Sequence, residues 1–206
     1  MREIAAKARV NLALVSYHFG GKEGCLAELY RAKMVPSAQV RTESLRKMGA
    51  EADLEAVLAT WLAPMLDLHD HEEFAERHAL MTFMQTHHPS LAARLFSEVF
   101  DSTNNVFVAA LLQRLPLLSR PTVIWRLHAL AGATQIYRDG VYQDAMRALS
   151  NGECMANDHG EQFRQLIAFA VAGFSAPEPS PAPVRSARKV EKSRLLSAPA
   201  SGRGNT

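Results

Sequence analysis

The stretch from Arg2 to Met34 constrains the fold of this chain most, because two short helical patterns flank a tight connection there and a third pattern follows at once. Asn11 can cap the second pattern, about Leu12 to Phe19, since a short side-chain oxygen accepts a hydrogen bond from a free helix N–H. Gly20 and Gly21 end that pattern, because glycine enters left-handed conformations at little cost. Two helices joined by a tight turn form the unit that places its second helix in the major groove of DNA. The stretch therefore predicts a helix-turn-helix head, and a composition rich in Leu and Ala with only 7% aromatic residues favours an all-α fold for the whole chain.

The same stretch carries a resemblance to a known family. Residues 4–10 read IAAKARV, and residues 14–30 read LVSYHFGGKEGCLAELY. They resemble helices two to four of the TetR family of one-component bacterial repressors, whose most recognisable string is an aromatic-His-Phe, a glycine-containing turn, Lys-Glu and a leucine. That string is matched here by Tyr17, His18, Phe19, Gly20, Gly21, Lys22, Glu23 and Leu26. The resemblance implies a DNA-binding transcriptional regulator whose head precedes a helical bundle for ligand binding and dimerisation.

The resemblance also implies which residues would touch DNA. Residues 12–14 would lie at the groove end of the recognition helix, where apolar side chains can contact thymine methyl groups. Tyr17 and His18 would contact a phosphate or a base edge, or would only pack within the protein. Lys22 would bind phosphate together with the N-terminus of its own helix. The DNA-binding candidates are Asn11, Leu12, Ala13, Leu14, Ser16, Tyr17, His18 and Lys22.

Two departures from the family are visible. Arg9 stands where most members have a glycine in the turn, and an arginine in a left-handed conformation costs about 1 kcal/mol. The chain also starts where the family's second helix starts, so we expect it to lack the first helix. In the family that helix covers the apolar face formed here by Ile4, Ala8, Val15 and Phe19. The alternative function is therefore a dimeric ligand-binding or interaction protein that has lost DNA binding with its first helix.

Charge divides the chain into three parts. Residues 1–49 hold nine Lys and Arg against four Asp and Glu, residues 50–175 hold eight against fifteen, and residues 176–206 hold six against two. A basic head on an acidic body suits a module that binds phosphate, although solvated surface charge explains the pattern equally well. We predict a head at 1–34, a linking helix at 35–49, a ligand-binding and dimerisation domain at 50–175, and a disordered basic tail at 176–206.

The spacing of apolar residues predicts helices through the body. Pro36 is expected to break the chain before the linking helix, because proline removes a backbone donor. Residues 141–157 are expected to form a looser connection. The predicted helices are Ala38 to Met48, Asp53 to Leu68 with an interruption at Pro64, a histidine-rich helix that Pro89 ends, Leu91 to Leu115 as one helix or two, Pro121 to Arg138, and Glu161 to Phe174.

Methionine and aromatic side chains recur at helical spacing in the body, where they could line a site for a small apolar effector or simply form the core. The ligand-binding candidates are Trp61, Met65, His78, Met81, Met84 and Phe107. His78 sits within an apolar stripe and could equally be a satisfied core histidine. Arg94 and Phe96 are candidates to line or gate a cavity. The resemblance implies that effector binding changes the spacing of two heads and lowers DNA affinity, as in a repressor released from its operator.

Two predicted helices are candidates for a dimer interface. In the resembled family the last two long helices of each subunit pair with their copies across a two-fold axis, and the matching segments here are 121–138 and 161–174. A regulator that reads two half-sites needs such an axis. Burial of these helices within one chain is the alternative.

Other classes of function find little support in the sequence. It has no Gly-x-Ser-x-Gly elbow, phosphate loop, His-Glu-x-x-His or dinucleotide fingerprint, so we predict neither an enzyme nor a cofactor. His69, His71 and the acidic residues around them match no metal site that we recognise, and a solvated helix start is the better interpretation. Cys25 and Cys154 are isolated, and no apolar run reaches the roughly 18 residues of a membrane span. We expect a cytoplasmic protein.

Overall fold

Helices account for all the regular secondary structure in residues 2–49, 51–66, 71–136, 140–155 and 157–180, which are the residues that the computed structural model describes. The predicted all-α class is confirmed. The helices are α1 (Arg2–Lys7), α2 (Leu12–Phe19), α3 (Lys22–Met48), α4 (Leu54–Leu62), α5 (His71–His87), α6 (Pro89–Arg114), α7 (Arg120–Ile136), α8 (Gly140–Leu149) and α9 (His159–Ser175). A 3₁₀ turn, Ala63–Met65, follows α4 and contains Pro64.

The head follows the predicted local rules. The Asn11 side chain accepts a hydrogen bond from the Ala13 N–H at 2.8 Å and so caps α2. Gly20 ends α2 in the left-handed region, at φ +67°. Arg9 also adopts a positive φ, +55°, so the left-handed conformation expected for this arginine is confirmed. The first two helices therefore form a tight helix-turn-helix against the start of α3.

The predicted break at Pro36 is wrong, because α3 runs without interruption from Lys22 to Met48. Pro36 lies on the exposed side of the helix, where water can satisfy the carbonyl that lacks a donor. The opposite face is buried, with Met34, Ala38 and Leu45 each at most 6% exposed. Burial of this face against α6 offsets the cost of the proline, and the head is joined to the body by one continuous helix.

Two hydrophobic clusters make up the core of the body. The larger one joins Leu45 of α3 with α4, α6, α7 and α9, and the smaller one joins α3, α5 and α6. Outside the clusters, Arg31 of α3 donates to both carboxylate oxygens of Glu98 of α6, at 2.6 and 3.1 Å. Among the described residues, the fully buried hydrophobic side chains are Tyr30, Val57, Leu58, Leu62, Met84, Leu95, Phe107, Leu111 and Val123.

The structure decides two further predictions. The pattern over Leu91 to Leu115 forms one helix, and its polar middle is accommodated because the buried Thr103 hydroxyl lies 3.0 Å from that of Thr42. Residues 140–149 form α8, so the predicted looser connection there is wrong. The predicted disorder from residue 176 stays a prediction, although the first residues of that segment contact the start of α7 and the turn before it. Glu178 accepts a hydrogen bond from the Ser119 N–H at 2.7 Å, and Arg126 donates to the carbonyls of residues 174, 176 and 177. Residues 181–206, including the predicted basic tail, lie outside the described part.

Candidate functional site

The outer face of α2 presents polar and apolar side chains to solvent. Tyr17 is 89% exposed and Leu14 is 62% exposed, and neither contributes to a core cluster. The exposure of Tyr17 is against the alternative that it packs within the chain. The remaining exposed candidates are Asn11, Ala13, Ser16, His18 and Lys22, while Leu12 is half-buried. The structure thus places these side chains on one short helix and at the start of the next, and their contact with DNA stays a prediction.

The surface of the head is also basic. Arg2, Lys7, Arg9 and Lys22 are exposed, against Glu3 and Glu23 in the same region. Exposed Lys and Arg side chains neutralise phosphates and supply most non-specific affinity for DNA. The helix-turn-helix therefore combines a protruding aromatic side chain with cationic surroundings.

Gly24 is a residue of the head whose role the sequence did not reveal. A Cβ built on Gly24 would lie 1.6 Å from the backbone oxygen of Phe19, so no side chain fits there. The absence of a side chain lets the C-terminal end of α2 approach the first turn of α3. A glycine in the first turn of a helix, where other residues would be more stable, is the signal that could have identified it.

A cavity of about 500 Å³ lies in the body, within the range of about 300–1,000 Å³ typical of small-molecule sites. Its walls come from α3, α5, α6, α7 and the C-terminal end of α4. The apolar side chains in its wall are Met34, Trp61, Pro64, Met65, Phe74, Met81, Phe96, Phe100, Val108, Ile124, Leu127 and Ala131. The body therefore offers, directly beside α3, a cavity whose wall combines these apolar side chains with polar ones.

Four of the six ligand-binding candidates line this cavity, namely Trp61, Met65, His78 and Met81. Met84 and Phe107 do not, because both are fully buried in the core clusters. Methionine and phenylalanine at helical spacing fill either kind of position, and only the tertiary packing separates the two. Phe96 also lines the cavity, as predicted, whereas Arg94 does not.

Arg41 is a cavity residue that the sequence analysis missed. It is 5% exposed, and its Nη2 donates to the Trp61 carbonyl at 3.0 Å. The guanidinium carbon lies 5.6 Å from the centre of the Trp61 ring and 5.7 Å from that of Phe107. Burial lowers the pKa of Arg41 to about 10, so the side chain remains cationic at neutral pH. The signal was an arginine on the same face of the predicted linking helix as Ala38 and Leu45.

Two buried donors in this wall have no acceptor: Nε of Arg41 and Nε1 of Trp61. The other arginines of the cavity are already engaged. Arg77 pairs with Glu73 at 2.6 Å, and Arg120 donates to the Asn105 amide oxygen at 2.6 Å. Buried polar groups almost always have partners, so these donors set this wall apart from the rest of the cavity.

A second hollow, of about 540 Å³, lies between α7 and α8 and differs in character. It is lined by Ala133, Ile136, Tyr142, Gln143, Ala145, Met146, Leu149, Ser150 and Cys154. The lining in the described part of the chain holds no charged side chain. It therefore lacks the charged group that distinguishes the first cavity.

The predicted dimer segments carry large apolar side chains at the surface. Trp125 of α7 is 75% exposed, Phe169 of α9 is 68% exposed, and Ile136 is 52% exposed. Burial within the chain therefore explains only part of the apolar character of these two helices.

Metal and membrane sites have no comparable support. Within the described ranges no three His, Cys, Asp or Glu residues cluster closely enough to hold a metal ion, and no helix could cross a membrane. His69 and the side chain of His71 lie outside the described residues.

Comparison with known protein families gives one match. Residues 59–173 fit the family described as "Tetracyclin repressor-like, C-terminal domain", which covers more than half of the chain. A search of curated proteins finds no match. The matched segment runs from α4 into α9 and includes most of the cavity wall, while the head and α3 lie before it.

Proposed function

The chain belongs to the tetracyclin repressor-like family, and from this premise we propose that it is a DNA-binding transcriptional regulator, a repressor that a small effector releases from its operator. Regulators of this kind are binding proteins and not enzymes. The effector site is the cavity of the body, and the DNA-binding surface is the outer face of α2 with the start of α3.

The continuity of α3 is the observation that carries this proposal. Lys22, at its first residue, belongs to the candidate DNA surface, and Arg41, in the same helix, lines the cavity. The two residues are about 28 Å apart along the helix at a rise of 1.5 Å per residue. A ligand that changes how α3 packs in the body would therefore move the head as a rigid extension. Effector and DNA would then favour different positions of α3, which is the linkage that release requires.

The head supports a particular division of roles. Exposed Tyr17 and His18 would contact phosphate or base edges, and Lys22 would bind phosphate at the N-terminus of α3. Ala13 and Leu14 could read thymine only through its methyl group, so sequence discrimination would come mainly from other contacts. Asn11 uses its side-chain oxygen as the helix cap and would contribute by holding α2 in place.

A homodimer through 121–138 and 161–174 would provide the two-fold axis that two half-sites require. The exposed Trp125 and Phe169 support this arrangement, because aromatic side chains are enriched in the buried centres of interfaces. Two copies would then present two heads to successive turns of the duplex.

The direct test measures binding of the full chain to DNA from around its own coding region. Fluorescence anisotropy at two salt concentrations would compare the natural chain with a Tyr17→Ala/Lys22→Ala double variant. Lys47→Ala is the matched control, since Lys47 lies at the other end of α3 and is largely exposed. We expect saturable, salt-sensitive binding that the double variant loses and the control keeps.

The outcome also decides between the two candidate functions. If a folded, dimeric chain shows no saturable binding to any tested fragment, DNA regulation by this chain is wrong. The ligand-binding or interaction protein then becomes the better interpretation. Equal binding by the double variant would instead place the DNA surface elsewhere.

A further inference from the structure

We propose that the effector is an organic acid with an apolar body, and that its carboxylate binds the Arg41 guanidinium and the Trp61 indole N–H inside the cavity. This inference rests on the proposed function, because it specifies the chemical class of the molecule that the same cavity takes. It adds an acidic group to the small apolar effector that the sequence suggested.

The first argument is the state of Arg41. A cation that is 95% buried needs an opposite charge or a full set of hydrogen-bond acceptors, yet no carboxylate in the described part of the chain pairs with it. Its hydrogen bond to the Trp61 carbonyl and its position against two aromatic rings satisfy it only in part. A bound anion would complete the site.

The second argument is the pair of donors without acceptors. Nε of Arg41 and Nε1 of Trp61 belong to side chains in direct contact, since the guanidinium carbon lies 5.6 Å from the indole centre. A carboxylate offers two acceptor oxygens and a charge opposite to that of the Arg41 guanidinium, whereas an alcohol or an amide oxygen accepts hydrogen bonds without that charge. The chemistry of this wall therefore favours a carboxylate over a neutral head group.

The rest of the cavity wall indicates which kind of carbon skeleton the ligand has. Met65, Phe74, Met81 and Phe96 present apolar surface, and Asp101, the acidic residue of the lining, is exposed and so lies towards solvent. An aliphatic or aromatic chain would be buried along these side chains while its acid group lies at Arg41.

The test uses matched ligands on the full chain. Isothermal titration calorimetry would compare straight-chain acids from hexanoate to hexadecanoate, and 2-naphthoate, with the alcohols of the same skeletons, all below micelle-forming concentrations. We expect the best acid to bind about 10- to 100-fold more tightly than its alcohol, as is typical for hydrogen bonds to a charged group. Equal affinities, or no binding by any acid in the series, would overturn the proposal.

Three variants test whether Arg41 and Trp61 cause the preference for the acid over the alcohol. Arg41→Met should remove the preference for the acid and leave alcohol affinity within about threefold, and Trp61→Phe should weaken acid binding about 3- to 10-fold. Arg120→Met is the matched control, because Arg120 lines the same cavity but is exposed and bonded to Asn105. Thermal unfolding of each variant checks folding, and Arg41→Met should melt no lower than the natural chain because it removes a buried unpaired charge. Retained preference in a folded Arg41→Met variant contradicts the proposal.

Failure here can be separated from failure of the proposed function. Acids that bind through Arg41 but leave the anisotropy of bound operator unchanged would leave this inference intact and contradict regulation by an effector. If only the alcohols release DNA, regulation by an effector is supported, and the inference that the effector is an organic acid is wrong.

Discussion

The head and the body differ in how they are held together. In the described part of residues 2–21, Ala5 and Val15 are the buried hydrophobic residues, and neither belongs to a core cluster. The body has clusters in which Val57, Leu58, Leu62 and others are fully buried. The two helices of the head that precede α3 have six and eight residues, are too short to be stable alone, and lie against the start of α3.

This difference indicates that folding stability depends mainly on the body and DNA specificity mainly on the head. The hydrophobic core stabilises the body, which therefore tolerates a cavity with an unpaired buried charge. The head has few buried contacts and depends on α3 and on tight turns for its position. Changes in the head should therefore alter DNA binding with little effect on unfolding of the body, while changes in the body core should affect both.

The largest effect is expected when one buried residue from each region is replaced by alanine. Leu58→Ala should lower the free energy of unfolding by about 2–5 kcal/mol, because Leu58 is fully buried and its removal leaves a cavity. Val15→Ala should cost about 1–2 kcal/mol of local stability in the head and leave the unfolding midpoint of the body nearly unchanged. Chemical denaturation followed by circular dichroism, beside DNA anisotropy, measures both. Equal shifts of the global midpoint would show that head and body unfold as one unit.

Gly24 allows a sharper test of the head alone. Gly24→Ala forces a Cβ to within 1.6 Å of the Phe19 oxygen, so α2 must move away from α3. We expect DNA affinity to fall at least about tenfold, because a displaced head loses phosphate contacts that fix its register. Gly160→Ala is the control, since the nearest atom to its Cβ would be 3.6 Å away. Undiminished binding by Gly24→Ala would mean that α2 does not need this close approach.

The surface of the body provides the next comparison. Trp125→Glu and Phe169→Glu should each weaken self-association about 30-fold or more, the effect of losing about 2 kcal/mol at an aromatic hot spot. Leu117→Glu is the control, because Leu117 is 91% exposed but lies outside both predicted dimer segments. Sedimentation velocity across a dilution series measures the change. A control variant that dissociates as readily as the other two would argue against this interface.

The same contrast explains what the sequence could predict. Asn11 and Gly20 act within one turn of the chain, so their roles as cap and terminator were readable from local chemistry. The uninterrupted α3 at Pro36 depends on burial against α6, which local propensity does not contain. Met84 and Met81 lie three residues apart on one helix, yet only Met81 faces the cavity. Arg41 likewise became informative only when the fold showed that no carboxylate of the described residues reaches it.

The smallest effect concerns Tyr30, where α3 passes from the head into the smaller core cluster. Its hydroxyl is buried without a hydrogen-bond partner, and burial raises its pKa to about 12. Tyr30→Phe removes this hydroxyl and should raise the free energy of unfolding by about 1 kcal/mol at pH 8. Because the folded protein holds the phenolic proton more tightly than the unfolded chain, the natural protein loses stability as the pH rises from about 10 to about 12. The phenylalanine variant lacks that loss, so the gap between the two proteins should widen over this interval.

Urea titrations at pH 8 and at pH 11 would measure this gap, and the other titrating groups cancel in the comparison. Tyr17→Phe is the matched control, because Tyr17 is 89% exposed and its change should leave stability unaltered at both pH values. A Tyr30→Phe variant that is less stable than the natural chain would mean that the hydroxyl has an acceptor in solution. In that case α3 would be fixed at the junction by a polar contact, and the rigid connection between head and cavity would rest on that bond as well as on apolar packing.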